Sequence, residues 1–166
     1  MTINKLLALL LICAASTGVA APRIAVLDFE LNDITSLPNT PAELQRTATM
    51  APLLIEAFNQ TGHYQTVAIS TDLQKAANGS FGYLFRFPDE AAKLGHQQQV
   101  DWIVVSQHSK PSFLFSYLWV YLVDVPSKAI VARYDIELKG SHEKVTRHAI
   151  ASLAKKIHET IVAHEN

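Results

Sequence analysis

The stretch from residue 101 to residue 139 constrains the fold most, because it is patterned as three consecutive strands. We predict strands at residues 102–107, 113–125 and 129–138. The connections between them, at residues 108–112 and 125–128, are short enough for tight antiparallel turns. The rest of the chain is therefore expected to pack on a sheet that has this meander at its centre.

The faces of the long second strand can be assigned, because side chains alternate between the two faces of a strand. One face carries aromatic side chains, namely Phe113, Phe115, Tyr117, Trp119 and Tyr121. The opposite face carries the aliphatic side chains of Leu114, Leu118, Val120 and Leu122. The third strand has an apolar face, with Ile130, Ala132, Tyr134, Ile136 and Leu138, and a charged face, with Arg133, Asp135, Glu137 and Lys139.

The turn at Pro126 decides which of these faces lie together. A two-residue loop would pair Val123 with Ile130 and place the aromatic side chains beside the apolar face of the third strand. Proline, however, cannot adopt the positive φ that such a turn favours at its first position. A three-residue loop pairs Val123 with Val131 and places the aromatic side chains beside the charged face. This loop puts Lys128 in the left-handed conformation at a cost of about 1 kcal/mol, and the proline constraint favours it.

The favoured register gives the sheet an aromatic face, and we predict that this face binds a partner. Its candidate residues are Phe113, Phe115, Tyr117, Trp119, Tyr121 and Arg133. Aromatic residues and arginine are enriched at protein interfaces, so the occupant would be a protein or an amphipathic ligand. The alternative is that residues 80–94 fold over this face and bury it.

The flanking segments supply two more strands, at residues 23–30 and 64–70, and four helices. The main helices are predicted at residues 41–61 and 141–163, the second capped by Ser141, and shorter helices begin at Thr71 and Pro88. Thr40 and Glu43 form a capping-box pattern around Pro41, and Pro52 predicts a break near residues 48–52.

The predicted fold class is α/β. We expect a mixed, largely antiparallel five-stranded sheet, with helices 41–61 and 141–163 packed on one face, the aliphatic one.

The first 20 residues have the pattern of a secretory signal peptide. Lys5 precedes an apolar run at residues 6–15, which is shorter than the roughly 20 residues that span a bilayer. Gly18 and Ala20 suit cleavage after residue 20, which leaves a single domain at residues 21–166 in the periplasm. A lipoprotein signal at Cys13 is the alternative, but Ile12 stands where a small residue is expected.

Charge and cysteine content exclude several classes of protein. Removing Lys5 from the 14 basic residues leaves 13 against 15 acidic residues, which argues against a nucleic-acid partner. No segment after the signal is apolar enough to cross a membrane. Cys13 is the only cysteine and leaves with the signal, so no disulfide can form and the domain depends on its apolar core.

No segment carries a complete catalytic, nucleotide-binding or metal-binding motif. Asp28 interrupts an apolar strand and is either a catalytic acid or, as is commoner, a paired or exposed carboxylate. The seven histidines form no His-Glu-x-x-His motif, and there is no Gly-x-Ser-x-Gly sequence or glycine-rich phosphate loop. We therefore predict no catalytic residue, metal site or cofactor, and favour a protein that is not an enzyme.

Several short segments together resemble a known family. They are residues 24–30, 101–105, 123–125, 131–133 and 139–141. In this order they look like a family of secreted bacterial domains of unknown function, similar in fold to the amino-terminal domain of the Tol–Pal component TolB. The resemblance implies that fold, an envelope location and protein–protein contacts there. This chain departs from the family in lacking a cysteine pair at residues 80–93 and a glycine at the position of Lys128.

Our leading prediction is a non-enzymatic periplasmic protein-interaction module that uses the aromatic face and contacts an envelope protein. A small-ligand carrier is the alternative, with the ligand held between the aromatic face and the aromatic loop at residues 81–87. A small secreted enzyme with a site near Asp28 is a third possibility.

Overall fold

The computed structural model describes residues 20–140 and 143–165. Its strands are β1 (Arg23–Val26), β2 (Glu30–Asp33), β3 (Gln65–Val67), β4 (Trp102–Lys110), β5 (Phe115–Asp124) and β6 (Ala129–Lys139). Its helices are α1 (Pro41–Ala48), α2 (Met50–Thr61), α3 (Thr71–Ala77), α4 (Tyr83–Arg86), α5 (Pro88–Gln97) and α6 (Glu143–Glu165). The predicted signal peptide, except Ala20, and the predicted cap Ser141 lie outside the described residues.

The described strands form one mixed sheet of six strands in the order β3-β1-β4-β5-β6, with β2 also paired to β4. Strand β1 is parallel to β3 and β4, and β2 is parallel to the later half of β4. The long ladders of β4 with β5 and of β5 with β6 are antiparallel. The predicted α/β fold with a mixed, largely antiparallel sheet is confirmed, and so is the meander.

The sheet has six strands where five were predicted, because the segment at residues 23–30 does not form one strand. Strand β1 ends at Val26, Leu27 still donates to the carbonyl oxygen of Val104 at 3.0 Å, and the chain pairs with β4 again from Glu30. Gln74 of α3 fills the gap: its Oε1 accepts a hydrogen bond from the backbone nitrogen of Asp28 at 2.7 Å. Its Nε2 donates to the carbonyl oxygen of Asp28 at 3.0 Å. The carboxylate of Asp28 is exposed and accepts from the Thr71 hydroxyl at 2.7 Å, so it is a paired surface group.

Helices cover both faces of the sheet. On one face α2 and α6 pack against Leu118, Val120, Leu122 and Leu138, as predicted for the aliphatic face. On the opposite face α4 and α5 pack with Leu84 and Leu94 against Ile103, Val105 and Val123. This second layer contains most of residues 80–94, which were predicted as a possible cover of the aromatic face. They bury only the part of that face near the β5–β6 turn.

The main amino-terminal helix is broken as predicted. Helix α1 ends at Ala48 and α2 begins at Met50, which places Pro52 in the first turn of α2, where a backbone donor would have no helical partner. The predicted capping box is wrong. The side chain of Thr40 makes no capping hydrogen bond, and Glu43 is buried and forms an ion pair with Lys110 instead, with Nζ and Oε1 2.9 Å apart.

The register of β5 with β6 combines the two alternatives. Beside the turn, Val123 pairs with Ile130, so the predicted pairing with Val131 is wrong. A bulge follows, after which the pairs are Leu122 with Ala132, Tyr121 with Arg133 and Trp119 with Asp135. The turn spans four residues, which lets Pro126 keep a negative φ. The bulge then shifts the pairing by one residue, so that the faces of β6 beyond it match those predicted for the longer register. Beyond the bulge the aromatic and charged faces coincide as predicted, and Lys128 has the expected positive φ of 59°.

Candidate functional site: the aromatic face and its pocket

The predicted site residues lie on one side of the sheet, with one exception. Tyr117, Trp119 and Tyr121 are on β5 with Phe115, and Arg133 is the partner of Tyr121 on β6. Phe113 does not belong to the strand, because β5 begins at Phe115, and it lies in the turn at residues 111–114.

The helical layer divides the aromatic face into two parts. Near the β5–β6 turn, the ring of Phe85 from α4 stacks on Tyr121 at 4.1 Å between centroids. At the other end Phe115, 37% exposed, and Trp119, 36% exposed, remain in contact with solvent, and Phe113 in the adjoining turn is 57% exposed. We call Phe113, Phe115 and Trp119 the open strip.

The residues of the open strip contact aromatic and charged side chains around them. The ring of Phe115 meets Tyr117 edge-on at 5.8 Å, and the ammonium of Lys110 lies 5.6 Å from the centre of the Phe113 ring. Next to Trp119, strand β6 presents Asp135 on the same face. The strip is therefore an apolar surface set among charges, with Phe115 and Trp119 on the sheet and Phe113 in the adjoining turn.

A pocket of about 460 Å³ lies where the loop at residues 81–87 approaches the covered part of the aromatic face. Its lining includes Phe81, Phe85, Arg86, Gln107, Tyr121 and Arg133. This is the place predicted for the ligand of a carrier. A second hollow of about 360 Å³ shares Phe85, Tyr121 and Arg133 and extends to Trp119.

The loop that walls the pocket is held by Glu30 of β2. The carboxylate of Glu30 accepts hydrogen bonds from the backbone nitrogen of Gly82 at 3.0 Å and from Nδ2 of Asn78 at 2.6 Å. Gly82 has a φ of 71°, and a Cβ added there would lie 3.0 Å from Nε2 of Gln107. Glycine is therefore favoured by the backbone conformation, and the approach of the Gln107 amide adds a smaller cost because that end of the side chain can shift.

A buried polar cluster lies at the far end of β4, and sequence reasoning missed it. His108 was predicted in a turn, and this is wrong: it is 0% exposed and lies within β4. Strand β4 continues to Lys110 because β2 extends the sheet beside it. The run of polar residues at 106–110 has no apolar alternation, so the sequence offers no local signal for a strand here.

The hydrogen bonds of His108 determine which of its ring nitrogens carries the proton. The Thr47 hydroxyl donates to the carbonyl oxygen of Glu43 at 2.8 Å, so it accepts from Nδ1 of His108 at 2.7 Å. Nε2 of His108 then accepts from the Ser116 hydroxyl at 2.8 Å. Burial, together with the nearby Arg46 guanidinium, lowers the pKa of His108 to about 4, so the imidazole is neutral at pH 7.

The contact between Ser116 and His108 has the geometry of a nucleophile and its base, but both residues are buried. The cavity beside Ser116 has a volume of about 10 Å³, which is too small for a substrate. The pair therefore contributes to the structure of the core.

Charged side chains complete this cluster. Arg46 donates from Nε to the Thr146 hydroxyl at 2.8 Å and from Nη2 to the carbonyl oxygen of Gly140 at 3.1 Å. The carboxylate of Glu43 lies between Arg46 and Lys110, at 3.6 Å and 2.9 Å. Two nearly buried cations thus share one carboxylate, which links α1 to the end of β4.

Two features are absent from residues 20–140 and 143–165. None of the helices there has both the length and the apolar character needed to cross a bilayer. In the same part of the chain, no three histidine, cysteine or acidic side chains come together as metal ligands.

Comparison with known proteins gives a family and a fold. The model of a family described as "protein of unknown function (DUF2380)" matches residues 22–157. No curated protein matches the chain. The LpoB C-terminal domain from Salmonella enterica is similar in structure, with a TM-score of 0.50 and 15% identity over 75% of this chain and 87% of that chain.

TolB from Acinetobacter baumannii is also similar, with a TM-score of 0.52 and 12% identity over 86% of this chain. The match covers 29% of the TolB chain, so this chain spans less than a third of that protein. At such identities the likeness concerns the fold alone, and it confirms the TolB-like fold that the sequence resemblance implied.

Proposed function

We propose that this chain, which belongs to the family described as proteins of unknown function (DUF2380), is a non-enzymatic periplasmic protein-interaction module. Its partner, an envelope protein, binds at the open strip. The periplasmic location rests on the signal-peptide pattern of the first 20 residues.

The observation that carries the proposal is the exposure of Phe115 and Trp119 on a sheet whose opposite face is fully packed, with Phe113 exposed in the adjoining turn. Large aromatic side chains are normally buried, and those left on a rigid surface with charges around them have the composition of an interface hot spot. Asp135 beside Trp119 supplies a charged rim that excludes wrong partners more than it adds affinity.

Site-specific photocrosslinking in the periplasm tests this function. A photoreactive residue is placed at Trp119 or Phe115, and for control at Phe87, an exposed aromatic residue outside the strip. We expect one discrete protein adduct from the strip positions and none from the control. The purified partner should then lose at least about tenfold in affinity with Trp119→Ala, because truncating a hot-spot residue costs about 2 kcal/mol or more.

The proposal fails if the control position gives the same adduct, or if Trp119→Ala binds the partner as tightly as the unmodified protein. Far-UV circular dichroism and the melting temperature of Trp119→Ala establish that the fold persists, so that a loss of binding is assigned to the surface.

A further inference from the structure

We propose that the pocket between the loop at residues 81–87 and the aromatic face binds a small amphipathic anion, in which a carboxylate or phosphate group is attached to a flat apolar body. No residue of the open strip lines this pocket, and its ligand does not depend on the function proposed above.

The charge of the pocket comes from two arginines. Arg86 and Arg133 both line it, and none of its lining residues is acidic. Neither guanidinium forms an ion pair with a carboxylate within the described residues. Glu30 lies behind the loop, where its carboxylate is already bound by Gly82 and Asn78. The pocket therefore presents two uncompensated guanidinium groups, whose planar donor sets match carboxylate and phosphate oxygens.

A buried amide supplies the second, independent observation. Gln107 of β4 lines the pocket and is 6% exposed. Among residues 20–140 and 143–165 its side-chain amide forms no hydrogen bond, and its polar atoms are not among the fully buried unpaired atoms, so the amide is accessible from the pocket. A ligand with polar oxygen atoms in the pocket would take the place of water as its hydrogen-bond partner.

The walls of the pocket fit an apolar body. Phe85 and Tyr121 are stacked with 15° between their planes, and the guanidinium of Arg133 lies 5.1 Å from the centre of the Tyr121 ring. Phe81 stands at the same pocket and is exposed. The volume of about 460 Å³ lies in the usual range for sites that bind small molecules.

The two kinds of wall together define the ligand class. An inorganic anion would pair with the arginines but leave the aromatic rings in water. A neutral aromatic compound would cover the rings but leave the exposed guanidinium groups of Arg86 and Arg133 bound to water alone. Only a molecule that combines the two features satisfies every group, so selectivity over each simpler compound is expected.

Isothermal titration calorimetry with four probes tests the site: 2-naphthoate, 2-naphthyl phosphate, the neutral 2-naphthamide and inorganic phosphate. We expect one or both naphthyl anions to bind at least about tenfold more tightly than 2-naphthamide and inorganic phosphate, since a charge-assisted hydrogen bond exceeds the 1.4 kcal/mol of a tenfold change. The ratio between the two anions distinguishes a carboxylate ligand from a phosphate ligand.

Variants assign the binding to the pocket. Arg86→Gln and Gln107→Glu should each weaken the naphthyl anions at least about tenfold, the second by placing a like charge in the site. The control Arg147→Gln, at an exposed arginine of α6, should leave the affinity unchanged. Circular dichroism of each variant at the titration temperature checks that it is folded.

Three results would overturn the proposal: no binding of either naphthyl anion at millimolar concentration, equal binding of 2-naphthamide, or an equal loss with Arg147→Gln. The variant Phe113→Ala removes a residue of the open strip and should leave probe binding unchanged. Conversely, Arg86→Gln should leave the photocrosslinked adduct intact, so failure of the ligand site and failure of the interaction surface are separate outcomes.

Discussion

Acid should destabilise this protein through His108, the fully buried histidine of β4. Burial lowers its pKa from 6.5 to about 4, and the charges of Arg46 and Lys110 act in the same direction, whereas Glu43 and Asp33 partly oppose them. Above pH 6.5 the imidazole is neutral in both the folded and the unfolded chain. As the pH falls towards 4, only the unfolded chain takes up the proton, so stability is complete above pH 6.5 and is progressively lost below it.

The two pKa values give the magnitude. One pKa unit corresponds to about 1.36 kcal/mol. The difference between the ordinary pKa of 6.5 and the folded-state pKa of about 4 therefore corresponds to about 3 kcal/mol of unfolding free energy. About 2.5 kcal/mol of this should be lost between about pH 7 and about pH 4.5. Such a loss is a large fraction of the 5–15 kcal/mol that is typical of a domain.

His108→Gln removes the titration while keeping one donor and one acceptor for Thr47 and Ser116. At pH 7 we expect it to lower the unfolding free energy by about 1–2 kcal/mol, because the positions of the two hydrogen-bond partners suit an imidazole better than an amide. Urea unfolding followed by circular dichroism, at about pH 7 and about pH 4.5, should show that the unmodified protein loses about 2.5 kcal/mol more than the variant.

The control is His148→Gln, at an exposed histidine of α6, which should retain the full pH dependence of the unmodified protein. The comparison between variants cancels the carboxylates that also titrate in this range. Equal losses in the unmodified protein and in His108→Gln would refute the assignment, as would a flattened pH dependence in His148→Gln.

Three further predictions follow from the packing. Glu43→Gln should lower the unfolding free energy by about 3 kcal/mol in urea titrations, because it leaves two nearly buried cations without a counter-charge, and a loss below about 1 kcal/mol would contradict this. Gly82→Ala should cost about 1–2 kcal/mol, because φ is positive and Gln107 is close, whereas Gly79→Ala, with open space around the added Cβ, should be neutral. Trp119 fluorescence in a Trp102→Phe background should be red-shifted and strongly quenched by acrylamide, and blue-shifted, protected emission would show that the open strip is covered.

The sequence was sufficient to predict those parts of the fold that follow from the alternation of side chains between the two faces of a strand. The alternation along β5 and the proline of the following turn predicted that the aromatic and charged faces would coincide, and they do beyond the bulge. The bulge itself could not be predicted. Ile130 and Val131 are both apolar, and they pack into the cores on opposite faces of the sheet. Their side chains therefore do not indicate which of them is the additional residue of the bulge.

The candidate site could be predicted only in part, because its boundaries depend on contacts between distant segments. The aromatic side chains of β5 were identified from alternation, but the extent of their cover depends on where α4 lies. Gln107 appeared as one polar residue among several, and its place beside Arg86 and Arg133 comes from the tertiary fold. His108 became recognisable as a core residue only after α1 and β2 were placed against it.

The hydrogen bonds between Gln74 and Asp28 have a consequence for how the domain opens. They replace two rungs of a sheet ladder with a side chain that belongs to the helical layer. If that layer separated from the sheet, the backbone donor and acceptor of Asp28 would exchange these hydrogen bonds for bonds to water, at a net cost of about 0.5–1.5 kcal/mol each. The helical layer and the sheet should therefore open as one cooperative unit, and slow hydrogen exchange of the Asp28 amide would report on both together.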